Sequence, residues 1–325
     1  MSRANRAAVT LIEMLVVVAI LGMLVALLLP AALGAREAGR RNRCINNQKE
    51  IATAVNRFES AKGRFPGYLN GTQALPPAQR GAVSWVIVLL PYLDRADLWN
   101  DPSKPGDPSW MNWRAADPYP VPTAGGPPGP VIGQLVCPSD ARDLHAGPLF
   151  TPLSYVANCG LPDTLAQASP PMVDTPGSTV FVNAYPAVVP LRAMKSSDLK
   201  DGASLTLMLS ENLQATEWFP TVKPPPAAGL PAARVATEAD VGMVWWPAAL
   251  AASRPTVWIN QGRKDVVAVP PPAIEYARPS SNHPGGVVAA YCDGRVEFLD
   301  EEIDYRVFQS KMAPHDASVS GLFVP

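Results

Sequence analysis

The stretch TLIEMLVVVAILGMLVALLLP, Thr10 to Pro30, decides the architecture of this chain. Its one charge is Glu13, and the next charge is Arg36. The 22 uncharged residues between them make a helix of about 33 Å, enough to cross a hydrocarbon layer. A carboxylate at the centre of such a helix costs about 3 kcal/mol. Glu13 stands at the amino-terminal edge, where the cost is smaller but still calls for a partner or a route to the headgroups.

Three readings of the segment compete. A cleaved secretory signal has a shorter apolar region followed by small residues, and Pro30-Ala31-Ala32-Leu33-Gly34-Ala35 offers such residues. A buried core helix is disfavoured by the length and uniformity of the run. A single membrane anchor fits best. Orientation is open on charge alone, because Arg3 and Arg6 flank one side while Arg36, Arg40, Arg41 and Arg43 flank the other.

Beyond Arg43 the pattern becomes amphipathic: Ile45, Ile51, Ala52, Val55 and Phe58 recur at helical steps, with Asn46, Lys49, Glu50 and Arg57 between them. Gly63 and Pro66 then end the helix. One helix is therefore expected from about Thr10 to Ala61, kinked at Pro30, with an apolar stripe that needs a sheet to cover it. Strand-like segments follow at Val83–Leu90, Leu205–Leu209 and Gly242–Trp246. The clearest is a hairpin, Val287–Cys292 and Arg295–Leu299, around the turn pair Asp293-Gly294. The expected fold class is α+β: a long amino-terminal helix, its first half in the membrane, packed on an antiparallel sheet with long proline-rich loops.

Composition narrows the function classes. A chain of 325 residues with formal net charge −1 has no electrostatic reason to bind nucleic acid. Its 37 prolines cluster at 102–130, 220–231 and 270–284, which reads as long surface loops. Four cysteines, Cys44, Cys137, Cys159 and Cys292, follow the apolar run without a CxxC pair, against a zinc ribbon or thioredoxin-like site. Their even number suits disulfides in an exported domain, with three connectivities, and buried free thiols are the alternative. The short separation favours Cys137 with Cys159.

Val9-Thr10-Leu11-Ile12-Glu13, the apolar run and Pro30 resemble the start of a type IV prepilin or pseudopilin. That resemblance implies a basic leader, residues 1–8, removed between Ala8 and Val9 by a prepilin peptidase, followed by N-methylation. The family usually has glycine where Ala8 stands, and phenylalanine or methionine where Val9 stands. It also implies a role for Glu13 in assembly, pairing with the amino-terminal ammonium of a neighbouring subunit. The bland alternative is that Glu13 snorkels into the headgroups. A wider resemblance rests on His283 with Asp293-Gly294 ten residues on, a His-x9-Asp-Gly signature, and on CINNQKEIATAVNRFESAKGRFP, SWVIVLLPYLDRADLW, CPSD at Cys137, SYVANCG at Ser154 and DGASLTLMLSEN at Asp201. Together these are similar to a large pilin-like family whose carboxyl domain has no assigned function, domain-of-unknown-function family 1559. The implied division is leader 1–8, transmembrane helix 9–35, amphipathic continuation 36–61 and an extracytoplasmic domain 62–325. The implied setting is a single pass through the inner membrane. The implied partners are the lipid bilayer, the peptidase and other copies or other pilin-like subunits.

No catalytic site is legible. His283 and Asp293 look like a base and its orienting carboxylate, but a hairpin holds them apart and Asp-Gly suits a turn without any function. His145 and His315 lack metal-binding spacing, and no GxSxG elbow or phosphate-cradling loop occurs. No cofactor and no metal are expected, although Ser139-Asp140, Asp201-Gly202 and Ser210-Glu211 could furnish oxygens for calcium. Trp110, Trp113, Trp245, Trp246 and Trp258 lie in or beside proline-rich loops, where they could bind a polysaccharide or a protein. The leading expectation is a non-enzymatic pilin-like protein of a filament or secretion pseudopilus. The alternative is a membrane-tethered binding module that never polymerises.

Overall fold

The computed structural model describes residues 11–71, 82–99, 131–140, 152–167, 174–184, 192–215, 218, 238–251, 258–261 and 274–325. Helix α1 spans Leu11–Lys62, 52 residues, and continues through Pro30. Its two halves differ as the sequence requires. Up to Ala35 every described side chain is exposed, whereas Cys44, Gln48, Ile51, Ala52, Ala54, Val55 and Phe58 are buried. Gly63, with φ +67°, ends the helix by donating its N–H to Glu59 O at 2.7 Å, a left-handed cap that glycine adopts without strain.

The buried stripe of α1 lies on a five-stranded sheet. Its members are β3 (Tyr155–Gly160), β5 (Leu207–Glu211), β6 (Gly242–Val244), β7 (Gly286–Tyr291) and β8 (Val296–Asp300), in the order β6-β3-β5-β7-β8. All pairs are antiparallel except β3 with β6, so the sheet is mixed where an antiparallel one was expected. The parallel pair is close-packed: a Cβ on Gly242 would come within 2.2 Å of Cys159 Sγ. A second sheet of three short strands, β2-β1-β4, joins β1 (Leu69–Gly71), β2 (Ala82–Ser84) and β4 (Asn183–Ala184).

Short helices complete the chain: α2 (Trp85–Leu89), α3 (Ala96–Trp99), α4 (Glu238–Val241), α5 (Ala248–Ala251), α6 (Tyr305–Met312) and α7 (Asp316–Val319). Asp304 caps α6 by accepting from the backbone N–H groups of Arg306 and Val307. The segment Val83–Leu90 is not the strand its apolar run suggests, because the chain leaves β2 after Ser84 and turns into α2. An apolar run of this length suits a buried helix as well as a strand, and Trp85, Val86, Ile87 and Leu89 are all buried.

The carboxyl hairpin falls where the sequence places it, with Val288 opposite Phe298 and Ala290 opposite Val296. Its loop holds three residues rather than two. Tyr291 N–H donates to Arg295 O, Gly294 N–H donates to Tyr291 O, and Gly294 takes φ +86°. That is a turn followed by a left-handed glycine bulge, which moves Cys292 out of the strand.

Trp85, Trp218, Trp245 and Trp246 are core residues, not loop-tip binders. Trp85 Nε1 donates to Val241 O and Trp245 Nε1 to Ser178 O, which settles the polar end of these two indoles. Trp258 is half-exposed and stacks on Tyr305 at 6.1 Å between ring centroids. Trp110, Trp113 and His145 lie outside the described residues.

Candidate functional site

Among the described residues, a close cluster of chemically capable side chains surrounds His283, just before β7. Four other segments converge on it: α1 through Glu37 and Cys44, the turn at 137–139, the end of β5 through Glu211, and the backbone of β7. His283 is buried. Its Nδ1 lies 2.5 Å from Glu37 Oε1, and its Nε2 lies 3.3 Å from Glu211 Oε1. Cys137 Sγ stands 3.5 Å from Nε2, and Ser139 Oγ stands 3.5 Å from Nδ1.

The carboxylates are held by different means. Glu211 Oε2 accepts from Val288 N–H at 2.9 Å, so β7 fixes its orientation. Its Oε1 is buried, makes no hydrogen bond among the described residues and points at the His283 ring. Glu37 is partly exposed and lies two residues beyond Ala35, so the cluster sits about one helical turn outside the apolar run. Burial works against the imidazolium, but the Glu211 carboxylate beside Nε2, then the Glu37 carboxylate at Nδ1, outweigh it and raise the His283 pKa above its ordinary value. Flanked by these two carboxylates, one from α1 and one from β5, the ring ties the helix to the sheet.

The two sulfur atoms beside it are bonded. Cys44 and Cys137 form a disulfide with Cα atoms 5.3 Å apart, within the usual range for a bridge. This corrects the expected pairing of Cys137 with Cys159. Nearness in sequence is not what decides it, because packing α1 on the sheet carries Cys44 to the 137–140 turn. Cys159 faces Gly242 inside the sheet. Cys159 and Cys292 are buried thiols, and burial pushes both pKa values up, which leaves them poor nucleophiles.

The remaining predicted site residues scatter. Ala8 and Val9 lie outside the described residues, and Glu13 is exposed in the first turn of α1. His283 and Asp293 stand at opposite ends of the six-residue strand β7, roughly 20 Å apart. Asp293 is exposed and accepts from Arg295 N–H, so Asp293 and Gly294 serve the turn. Of the calcium candidates, Asp201 accepts from Asp316 N–H at 2.6 Å, and Asp140 accepts from Ser154 Oγ at 2.7 Å. Only Ser139 and Glu211 reach the His283 cluster, and they do so as its neighbours. Sequence reading found His283 but missed Glu37 and Glu211 as its partners, since nothing in the spacing of residues 37, 211 and 283 signals that they meet.

A second cluster lies deeper. Tyr68 Oη donates to Asp163 and accepts from Asn183 Nδ2 at 3.0 Å, while Glu238 Oε1 accepts from Asp163 N–H at 2.8 Å. Burial, then the nearby Asp163 charge, pushes the Glu238 pKa up to about 7. Asp174 is buried and its carboxyl is raised well above the usual range, although it accepts from Leu161 N–H and Ser178 Oγ. Glu238 and Asp174 are buried beside the core residues Tyr68, Cys159 and Leu161, whereas Asp163 is partly exposed.

Comparison with known proteins agrees with this architecture. Residues 3–29 match the prokaryotic N-terminal methylation motif, and α1 is long and apolar enough to cross a membrane, with none of its most apolar stretch buried. Residues 34–306 match the family described as "Protein of unknown function (DUF1559)". No curated protein and no solved structure matches the chain. With that family covering most of its length and a prepilin-type segment ahead of it, this membrane-anchored, pilin-like α+β chain belongs to the DUF1559 family.

Proposed function

We propose that the protein is a non-enzymatic, pilin-like subunit. Prepilin peptidase cuts it between Ala8 and Val9, the inner membrane then holds it by α1, and it packs through the exposed half of that helix into a filament or pseudopilus. The domain after residue 61 faces the periplasm or the exterior. The observation that carries this reading is the division of α1: one continuous helix offers an uncovered apolar half and buries the other half in the domain. Such a helix can exchange lipid for the helices of neighbours without refolding. Glu13 stands in its first turn; in the assembly it would pair with a neighbour's amino-terminal ammonium, so that two costly charges neutralise each other.

Intact mass spectrometry of protein extracted from membranes tests the first step. A chain starting at N-methylated Val9 is expected; an intact Met1 would sink the assembly role of Glu13, and a start near Ala35 would remove the anchor. Glu13→Ala then tests the second step, with loss of the protein from sheared surface filaments and from intersubunit crosslinks expected. Unchanged crosslinking would refute the charge pairing. The tethered binding module loses the aromatic support it drew from Trp245 and Trp246, which are buried.

A further inference from the structure

The cluster around His283 holds more ligand chemistry than a structural tie requires. Cys44 Sγ, Cys137 Sγ, a His283 ring nitrogen and a Glu211 carboxylate oxygen all lie within 4.8 Å of one another, and all four residues are buried; Nε2 is the nitrogen that faces Cys137 and Glu211. We propose that these four atoms form a zinc-class metal site in the reduced chain, for which the Cys44–Cys137 disulfide is the oxidised, metal-free alternative.

The arrangement has the parts that such a site needs. Two thiolates, one imidazole and one carboxylate make a four-ligand, tetrahedral donor set of the kind zinc takes. At Zn–S about 2.3 Å the two sulfurs of a tetrahedral site stand roughly 3.7 Å apart, a separation that side-chain rotation reaches once the disulfide is cleaved. Glu211 Oε1 is buried without a hydrogen bond and aimed at Nε2, while its other oxygen is anchored by Val288 N–H. Glu37 takes Nδ1 of the same ring. A carboxylate on the far nitrogen of a ligating histidine is the usual outer support of a metal site, because it fixes both tautomer and ring orientation. A closed, buried set with no open position would make the metal structural, joining α1 to the sheet.

The chemistry balances. A dithiol reductant attacks the disulfide through a mixed disulfide; two electrons and two protons pass to Cys44 and Cys137, and the reductant leaves as its own disulfide. When Zn²⁺ binds, the two thiol protons and the Nε2 proton go to solvent. Oxidation by a disulfide donor of the compartment reverses this and releases the ion.

The test uses the full chain in detergent, with Co²⁺ as a visible substitute for Zn²⁺. After reduction by a phosphine, one equivalent of Co²⁺ should give thiolate-to-cobalt charge transfer and the strong visible bands of a tetrahedral site, and Zn²⁺ should displace it. The oxidised protein should give neither. Glu37→Gln should weaken binding about 10- to 100-fold, as loss of an outer support does. Glu211→Gln and His283→Gln should weaken it more; both keep the disulfide, so their folding is checked independently in the oxidised form. The Cys159→Ala/Cys292→Ala double variant should bind as the parent does. If the reduced chain unfolds, circular dichroism should show Zn²⁺ restoring its helix content. The proposal is overturned if reduced protein shows no charge transfer and no metal-restored structure. It is equally overturned if the bands survive in the Cys44→Ser/Cys137→Ser double variant.

Discussion

Replacing Cys44 and Cys137 together by alanine removes a covalent clasp that closes a loop of 93 residues. Constraining the unfolded chain over that separation is worth about 4.7 kcal/mol at 25 °C in the chain-entropy account. That loss lowers the folded-to-unfolded ratio by more than about 10³. A bridge from Cys137 to Cys159 would span 22 residues and be worth about 3.4 kcal/mol by the same formula. The difference between the pairings is thus only about 1.3 kcal/mol, too small for stability alone to identify the bridge. Two measurements on the full chain in detergent are therefore needed. A non-reduced proteolytic digest should yield the peptide around Cys44 joined to that around Cys137, with Cys159 and Cys292 alkylated only after denaturation. Denaturant titration should then show the double variant several kcal/mol less stable than the parent, with reduced parent close to the variant when chelator is present. A cystine linking Cys137 to Cys159, or a stability loss below about 1 kcal/mol, would refute the reasoning.

Other substitutions probe the seam and the buried acids. Phe58→Ala opens the seam between α1 and the domain, where Phe58 meets Tyr92 edge-on at 5.7 Å, and should cost about 3–5 kcal/mol by denaturant titration. Gly286→Ala should cost more than an ordinary surface change, because a Cβ there would lie 1.9 Å from Leu299 O on the paired strand; a protein of unchanged melting temperature would show that β8 can yield. Glu238, raised to about 7 from an ordinary 4.5, holds its proton more tightly folded than unfolded. Its stabilising contribution is therefore complete below about pH 4.5 and lost as pH rises through about 7, and Glu238→Gln should flatten the stability curve across that interval.

The parts of the fold that showed in the sequence are those set by local pattern. The apolar run fixed α1, Gly63 ended it, and Asp293-Gly294 located the hairpin within a residue or two, because periodicity and turn chemistry act over a few positions. Val83–Leu90 misled because a short apolar run is equally compatible with a strand and with a buried helix. The disulfide and the His283 cluster were illegible for a different reason: residues 37, 44, 137, 211 and 283 meet only after α1 lies across β5, β7 and β8. Spacing rules for metal sites detect ligands carried on one or two adjacent elements, so they pass over a set contributed by four. Even so, four stretches on which the family resemblance rested, CINN at Cys44, CPSD at Cys137, SEN at Ser210 and NHPGG at Asn282, each supply one of the four metal-capable side chains of that cluster.

The position of the cluster bears on how the anchor and the domain work together. A domain joined to a membrane helix by a flexible stalk samples many orientations, and assembly must then pay the entropy of fixing one of them. Here the fixing begins within one turn of the apolar run. Glu37 engages His283, Arg41 stacks over the Phe298 ring at 4.0 Å, the Cys44 disulfide follows, and Gln48 Nε2 donates to Val288 O at 2.7 Å. These contacts tie successive turns of one helix face to the β7–β8 end of the sheet. The direction of the apolar half of α1 is thereby set relative to the domain. Loosening the first tie while leaving the core intact, as Glu37→Gln would do, should leave denaturant stability within about 1 kcal/mol but broaden the distance between spin labels placed at Leu21 and Ser204. A distance distribution as narrow as that of the parent would show that the disulfide and Gln48 suffice to orient the anchor, and that the Glu37–His283 pair serves only the chemistry of its own site.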